Sequence, residues 1–169
     1  MKCIVTLRLL PVFLLGLFFS FSIGTAQSYE VKKIDELLGT KKKLSTNKMV
    51  SKGQTSLESL VYNVNPSIFI ENGNIQAYGE VSPLVAEIDL KDWNILKKNN
   101  PLFNSVKLIK FKYGVNDIKN GLDLSLLKDF KQLEFIYIQC TFNCNTSALE
   151  QLFQNVNGIK ITYLVAITE

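Results

Sequence analysis

VAEIDL at residues 85–90 is echoed by VKLIKF at residues 106–111 and by LEFIYI at residues 133–138. Each hexamer places apolar residues at its first, fourth and sixth positions. These are Val85, Ile88 and Leu90, then Val106, Ile109 and Phe111, then Leu133, Ile136 and Ile138. An asparagine follows each, at Asn94, Asn116 and Asn143. GIKITY at residues 158–163 is a degraded fourth copy through Gly158, Ile161 and Tyr163. The copies start 21, 27 and 25 residues apart, in the period range of solenoids built from one strand and one helix per unit.

The stretches between the hexamers carry helix signals. Asp92 is placed to cap a short helix through Trp93, Ile95, Leu96 and Lys98, which Pro101 stops. Leu122, Leu126, Leu127 and Phe130 give residues 123–131 one apolar face. Ser147-Ala148-Leu149-Glu150 matches a capping box. The helix that it opens carries Leu149, Leu152, Phe153 and Val156, and Asn157-Gly158 ends it. The strands span residues 85–90, 106–113, 133–140 and 159–167. Strand and helix alternating over short connections call for a parallel sheet with right-handed crossovers.

Upstream, residues 67–79 (SIFIENGNIQAYG) read as a β-hairpin. Asn72-Gly73 is the preferred dipeptide of a two-residue turn, because both positions take positive φ. That turn pairs Ile70 with Ile75 and Ile68 with Ala77. Before the hairpin the chain is polar and lysine-rich. Ile34, Leu37 and Leu38 predict a short helix over residues 31–38, and Gly39 ends it. Lys41-Lys42-Lys43 follows, either as a solvated linker or as a tether to an anionic envelope surface.

Residues 1–26 have the layout of a secretory signal. Lys2 and Arg8 make a positive start, residues 9–23 are an uncharged apolar run, and Gly24-Thr25-Ala26 offers small residues for cleavage. The alternative is an uncleaved anchor, but the run is shorter than the ~20 residues that span a bilayer. The domain organisation is thus a signal peptide over 1–26, a basic, partly disordered segment over 27–64, and one α/β repeat-like domain over 65–169. After cleavage 17 lysines face 15 acids. That near-neutral balance gives no footprint for nucleic acid. Membrane contact would come only through an uncleaved N-terminal segment.

Chemistry finds little to build on. The chain has no histidine, which excludes Ser-His-Asp and Cys-His arrangements. No Gly-rich phosphate loop is present, and Asp117, Asp123 and Asp129 do not match a calcium loop. Glu87 and Asp89 share a strand face as a glycosidase pair might, but Lys91 beside them fits solvent-facing charge. Cys140 and Cys144, spaced C-x-x-x-C, read as a disulfide in an exported chain. Asn145-Thr146-Ser147 is a glycosylation sequon, relevant in a eukaryotic source. No metal site and no cofactor is implied.

The hexamers resemble the unit of leucine-rich repeats, L-x-x-L-x-L-x-x-N/C-x-L. Val85/Ile88/Leu90, Val106/Ile109/Phe111 and Leu133/Ile136/Ile138 match its apolar positions, while Asn94, Asn116 and Asn143 come one or two places late. The resemblance covers about half the chain. It implies an α/β fold: a short stack of parallel strands with helices on one side, preceded by the hairpin. The alternative architecture is an ordinary open α/β sheet. In that family the concave sheet face binds partners. In register, that face would carry one row of Glu87, Leu108, Phe135 and Lys160. A second row would be Asp89, Lys110, Tyr137 and Thr162, and a third Lys91, Lys112, Gln139 and Leu164. Phe135, Tyr137, Leu108, Lys110 and Asp89 are the candidate binding residues, aromatics among charges as at interface hot spots. The competing expectation is that residues 28–64 cover Phe135 and Tyr137, or that both sheet faces are buried. The leading functional expectation is an exported, non-catalytic module binding a protein or other envelope or extracellular ligand. A structural envelope protein without a specific ligand and an enzyme of unknown type are the alternatives. The last strand, running towards Glu169, is the expected free edge of the sheet.

Overall fold

The computed structural model describes residues 29–38, 55–117, 121–156 and 158–167. The signal-like residues 1–26, the lysine run 41–43, Asn157 and Glu169 lie outside them. The strands are β1 (Val31–Lys33), β2 (Ser67–Glu71), β3 (Asn74–Tyr78), β4 (Val85–Ile88), β5 (Leu108–Tyr113), β6 (Leu122–Asp123), β7 (Phe135–Cys140), β8 (Phe153–Gln154) and β9 (Lys160–Val165). Among the described residues they are accompanied by α1 (Leu57–Tyr62) and α2 (Thr146–Leu152), besides a helical turn over residues 34–38. Seven strands form one sheet in the order β1-β9-β7-β5-β4-β2-β3. Every neighbouring pair is parallel except the β2–β3 hairpin. The fold is α/β, as the alternation of strand and helix signals requires.

The hairpin has the expected register, Ile70 with Ile75 and Ile68 with Ala77. Its turn residues Asn72 and Gly73 both have positive φ, 51° and 79°, the backbone that a right-twisted two-residue connection needs. From β2 onwards the chain adds β4, β5, β7 and β9 side by side in sequence order.

Two rows of side chains run across this parallel stack. Ile68, Ala86, Ile109, Ile136 and Ile161 are partners in one row, and Ile70, Ile88, Phe111, Ile138 and Tyr163 in the next. All ten are buried in the larger core. The first hexamer therefore sits two residues away from its expected register: Ala86, not Ile88, pairs with Ile109. A two-residue shift preserves which side chains face which way, so periodicity alone does not detect it. On the opposite face the rows become Val85, Leu108, Phe135 and Lys160, then Glu87, Lys110, Tyr137 and Thr162.

Over the larger core pack α2 and three 3-10 helices, Leu90–Lys97, Pro101–Ser105 and Leu124–Leu127. They bury Trp93, Leu96, Phe103, Leu127 and Leu149, among others. The 3-10 helices open alike. Asp89, Asn100 and Asp123 each accept a hydrogen bond from the backbone N–H two residues on, an Asx turn that starts a tight helix. The cap of the first is thus Asp89 rather than Asp92, and Pro101 begins the second helix instead of ending the first. Proline suits that first position, where its missing N–H leaves nothing unpaired. For α2 the cap is Asn145, accepting from the Ala148 N–H at 2.9 Å, not Ser147. The helix stops at Leu152, because Phe153–Gln154 pairs with Leu122–Asp123 as a small second sheet. Cys140, the last residue of β7, is disulfide-bonded to Cys144, and both are buried.

The N-terminal segment departs furthest from expectation. Residues 31–33 are a strand rather than the start of a helix, with one helical turn over residues 34–38. β1 pairs in parallel with β9, so β9 is an interior strand, and among the described residues the sheet edges are β1 and β3. Val31 joins the larger core. Ile34, with Leu57 and Leu60 of α1, forms a second core against Val85, Leu108, Phe135 and Tyr137 on the opposite sheet face. The described parts of residues 27–64 belong to the folded unit, which does not begin at 65, and helical layers lie on both sides of the sheet.

Candidate functional site

Only part of the second sheet face is covered. Leu108 is fully buried, and Phe135 and Tyr137 are 9% and 7% exposed. They form the floor of the second core under Ile34, Leu57 and Leu60, as the competing expectation of cover by residues 28–64 has it, and Tyr137 also lines the groove at the margin of that cover. Lys160 supplies further cover, its ammonium 5.5 Å from the centre of the Phe135 ring. Lys110 and Asp89, the other two expected residues, border a groove of ≈ 670 Å³ along the uncovered part of the same face. Val61 and Tyr62 of α1 form one wall, and Phe69, Glu71, Glu87, Lys112 and Gln139 extend it along the strands. A smaller recess of ≈ 450 Å³ shares Phe69, Glu71, Glu87 and Lys110 and reaches Tyr78 at the sheet edge.

Lys110 connects the strands to α1 at the groove. Its Nζ donates to the Val61 carbonyl at 3.0 Å and lies 3.9 Å from a Glu87 oxygen. Burial lowers the pKa of its ammonium below the ordinary lysine value, and Glu87 partly opposes that shift. Beside it, burial pushes the Tyr137 hydroxyl up to about 12, with smaller contributions from Tyr62 and Asp35. Asp89 is held below the usual carboxylate range, chiefly by the side-chain hydrogen bond from Lys91, their atoms 2.8 Å apart. Lys91 also donates to the Asn72 side chain at 3.1 Å, and the Gly73 N–H donates to Asp92 at 3.0 Å. These bonds tie the hairpin tip to the first 3-10 helix and fix one end of the groove.

The chemistry follows from that pairing. Glu87 and Asp89 each have a lysine partner, and Asp89 is shifted down, whereas a general acid needs its pKa raised. The groove offers aromatic faces at Tyr62 and Phe69, one half-buried cation and several exposed carboxylates. That set suits recognition by stacking and hydrogen bonding. Among the described residues no three His, Cys, Asp or Glu side chains are placed to hold a metal ion. No helix among them is long and apolar enough to cross a membrane.

Sequence reasoning placed Lys110 and Asp89 on this face but missed Val61, Tyr62, Phe69 and Glu71. Phe69 had a signal: it alternates with Ile68 and Ile70, so it must face away from the core that they fill. What places it beside Glu87 is the parallel pairing of β2 with β4, which the hairpin signal at Asn72-Gly73 does not specify. Comparison with protein-family models, with curated proteins and with solved structures gives no match.

Proposed function

We propose that the protein is an exported, non-catalytic binding module that holds a protein or other envelope or extracellular ligand in the groove beside α1. The observation that carries this reading is the groove itself, ≈ 670 Å³ and walled by Tyr62, Phe69, Glu87 and Lys110. Export is supported by the signal-like N-terminus and by a disulfide, which suits an oxidising compartment. The leucine-rich-repeat-like reading draws on five parallel strands added in sequence order, two of whose four connections run through short 3-10 segments on one side. In this proposal the ligand occupies only the strip of the face that α1 leaves open.

The test is photo-cross-linking from position 69 on the surface of the native host, followed by identification of what is captured. A Glu87→Lys, Tyr62→Ala variant with unchanged melting temperature is expected to lose the captured species. Equal capture by this variant and by the parent protein would remove the groove from consideration.

A further inference from the structure

We infer that β3 is a self-association edge, pairing antiparallel with β3 of a second copy about a two-fold axis through Gln76. The two edges of the sheet are built differently. β1 is three residues long and carries Lys32 and Lys33, the short, charged form by which edges resist pairing. β3 is five residues, Asn74–Tyr78, with no charge and no proline, and Ala77 and Tyr78 are exposed. Residues 72–79 together carry no charge.

The hairpin geometry fixes which backbone groups face outwards. Glu71 and Asn74 flank a two-residue turn, so they are a hydrogen-bonded pair, and the alternation of the ladder makes Phe69–Gln76 another. Ile75 and Ala77 are the non-bonded pairs with Ile70 and Ile68. Their N–H and C=O groups therefore point away from β2. An axis at Gln76 sets Ile75 opposite Ala77 of the partner and Ala77 opposite Ile75 of the partner. Each pair exchanges two hydrogen bonds, so outward donors meet outward acceptors throughout. The same register lays Ile75, which already packs on the larger core, beside the partner's Ala77 and continues the apolar row across the junction. On the groove side Gln76 meets its own copy, and Asn74 meets Tyr78. No like charges are opposed, since Glu80 falls opposite Asn72. The arrangement is isologous and closes as a dimer.

The experiment is sedimentation equilibrium of the processed protein over roughly micromolar to millimolar concentration. A monomer–dimer equilibrium is expected. Gln76→Lys places two like charges across the axis without touching any backbone bond, and about a tenfold weaker dimer is expected. Ala77→Pro removes an outward donor and leaves the β2 ladder intact, with a comparable or larger loss. A Lys32→Thr change at the opposite edge is expected to leave the dimer constant unchanged. A parent protein that stays monomeric throughout, or a dimer that Gln76→Lys does not weaken, overturns the inference. A dimer weakened by Lys32→Thr alone would place the contact at β1 and overturn it equally.

Discussion

The Lys110 ammonium donates to the Val61 carbonyl at 3.0 Å across 49 residues of sequence. This bond links β5, in the middle of the sheet, to the last turn of α1, and both partners line the groove. Lys110→Ala strips a donor from that carbonyl and leaves Glu87 without its neighbour, so a loss of about 1–2 kcal/mol is expected at pH 7. The pH profile gives a second readout through Lys110→Met. Because burial depresses the Lys110 pKa in the folded state, the unfolded chain holds this proton more tightly. Stability of the parent protein then rises relative to Lys110→Met as pH climbs from the folded value towards 10.5. Urea unfolding in steps from pH 7 to pH 10.5 measures the difference. A constant gap would mean that the ammonium is solvated.

Tyr137 works in the opposite direction. Its hydroxyl is raised from 10.0 to about 12 by burial, so the unfolded chain ionises first. Stability contributed by this group is present below pH 10 and is lost as pH rises towards about 12. An absorbance titration of the tyrosines should show a late-ionising group that Tyr137→Phe removes. The variant should also lose less stability than the parent over that interval. A Tyr137 that titrates near 10 would show that α1 does not cover it.

Phe135 and Leu108, candidate binding residues by sequence, lie buried in the second core. Truncating them opens a cavity beneath Ile34 and Leu60. Phe135→Ala is expected to cost about 3–5 kcal/mol and Leu108→Ala about 2–5 kcal/mol. Glu87→Gln, on the open strip, should stay within about 0.5 kcal/mol of the parent. Denaturant melts of the three separate the roles. Phe135→Ala melting with the parent would put its ring back on the surface.

The strands were legible because their apolar residues recur with a fixed period, and the hairpin because Asn72-Gly73 requires one turn geometry. Register was not: Val85, Ile88 and Leu90 match the pattern better than Pro83, Ala86 and Ile88, yet the latter set is the one in line. Only pairing with β2 and β5 distinguishes them. Helix type was hidden for a related reason, since apolar residues three apart satisfy α and 3-10 geometry alike. Val31–Lys33 is too short to show strand propensity and is a strand only through its bonds to β9. The candidate site was half legible. Alternation assigned Lys110 and Asp89 to the correct face, but which part of that face stays open depends on where Leu57 and Leu60 dock.

That docking makes the N-terminal segment a stabilising element. Val31 is 2% exposed, Ile34 is fully buried, and the Tyr29 hydroxyl donates to the Glu150 carbonyl of α2. Val31→Ala and Ile34→Ala should each cost about 1–4 kcal/mol, with Ile34 the larger because Ile→Ala removes more buried carbon. Cleavage after residue 38 should expose the β9 edge and turn the remaining chain towards aggregation. Limited proteolysis followed by light scattering checks both. A truncated chain that stays monodisperse with an unchanged melt would mean that β1 is dispensable.

The Cys140–Cys144 bridge ties the end of β7 to the residue before the α2 cap. It closes a loop of only a few residues, so constraining the unfolded chain contributes about 2 kcal/mol. Its local effect is more specific. Asn145 follows Cys144 directly and must hold its side chain against the Ala148 N–H to start α2. A Cys140→Ser, Cys144→Ser variant should lose about 2 kcal/mol globally, and hydrogen exchange at Ala148 and Leu149 should quicken before that at Ile136 or Ile138 in the sheet. Intact mass from the native host gives the compartment: a chain beginning at Gln27 that gains two protons on reduction is an exported, oxidised protein. A full-length chain with free thiols would remove export from the proposed function while leaving the groove and the β3 edge as they are.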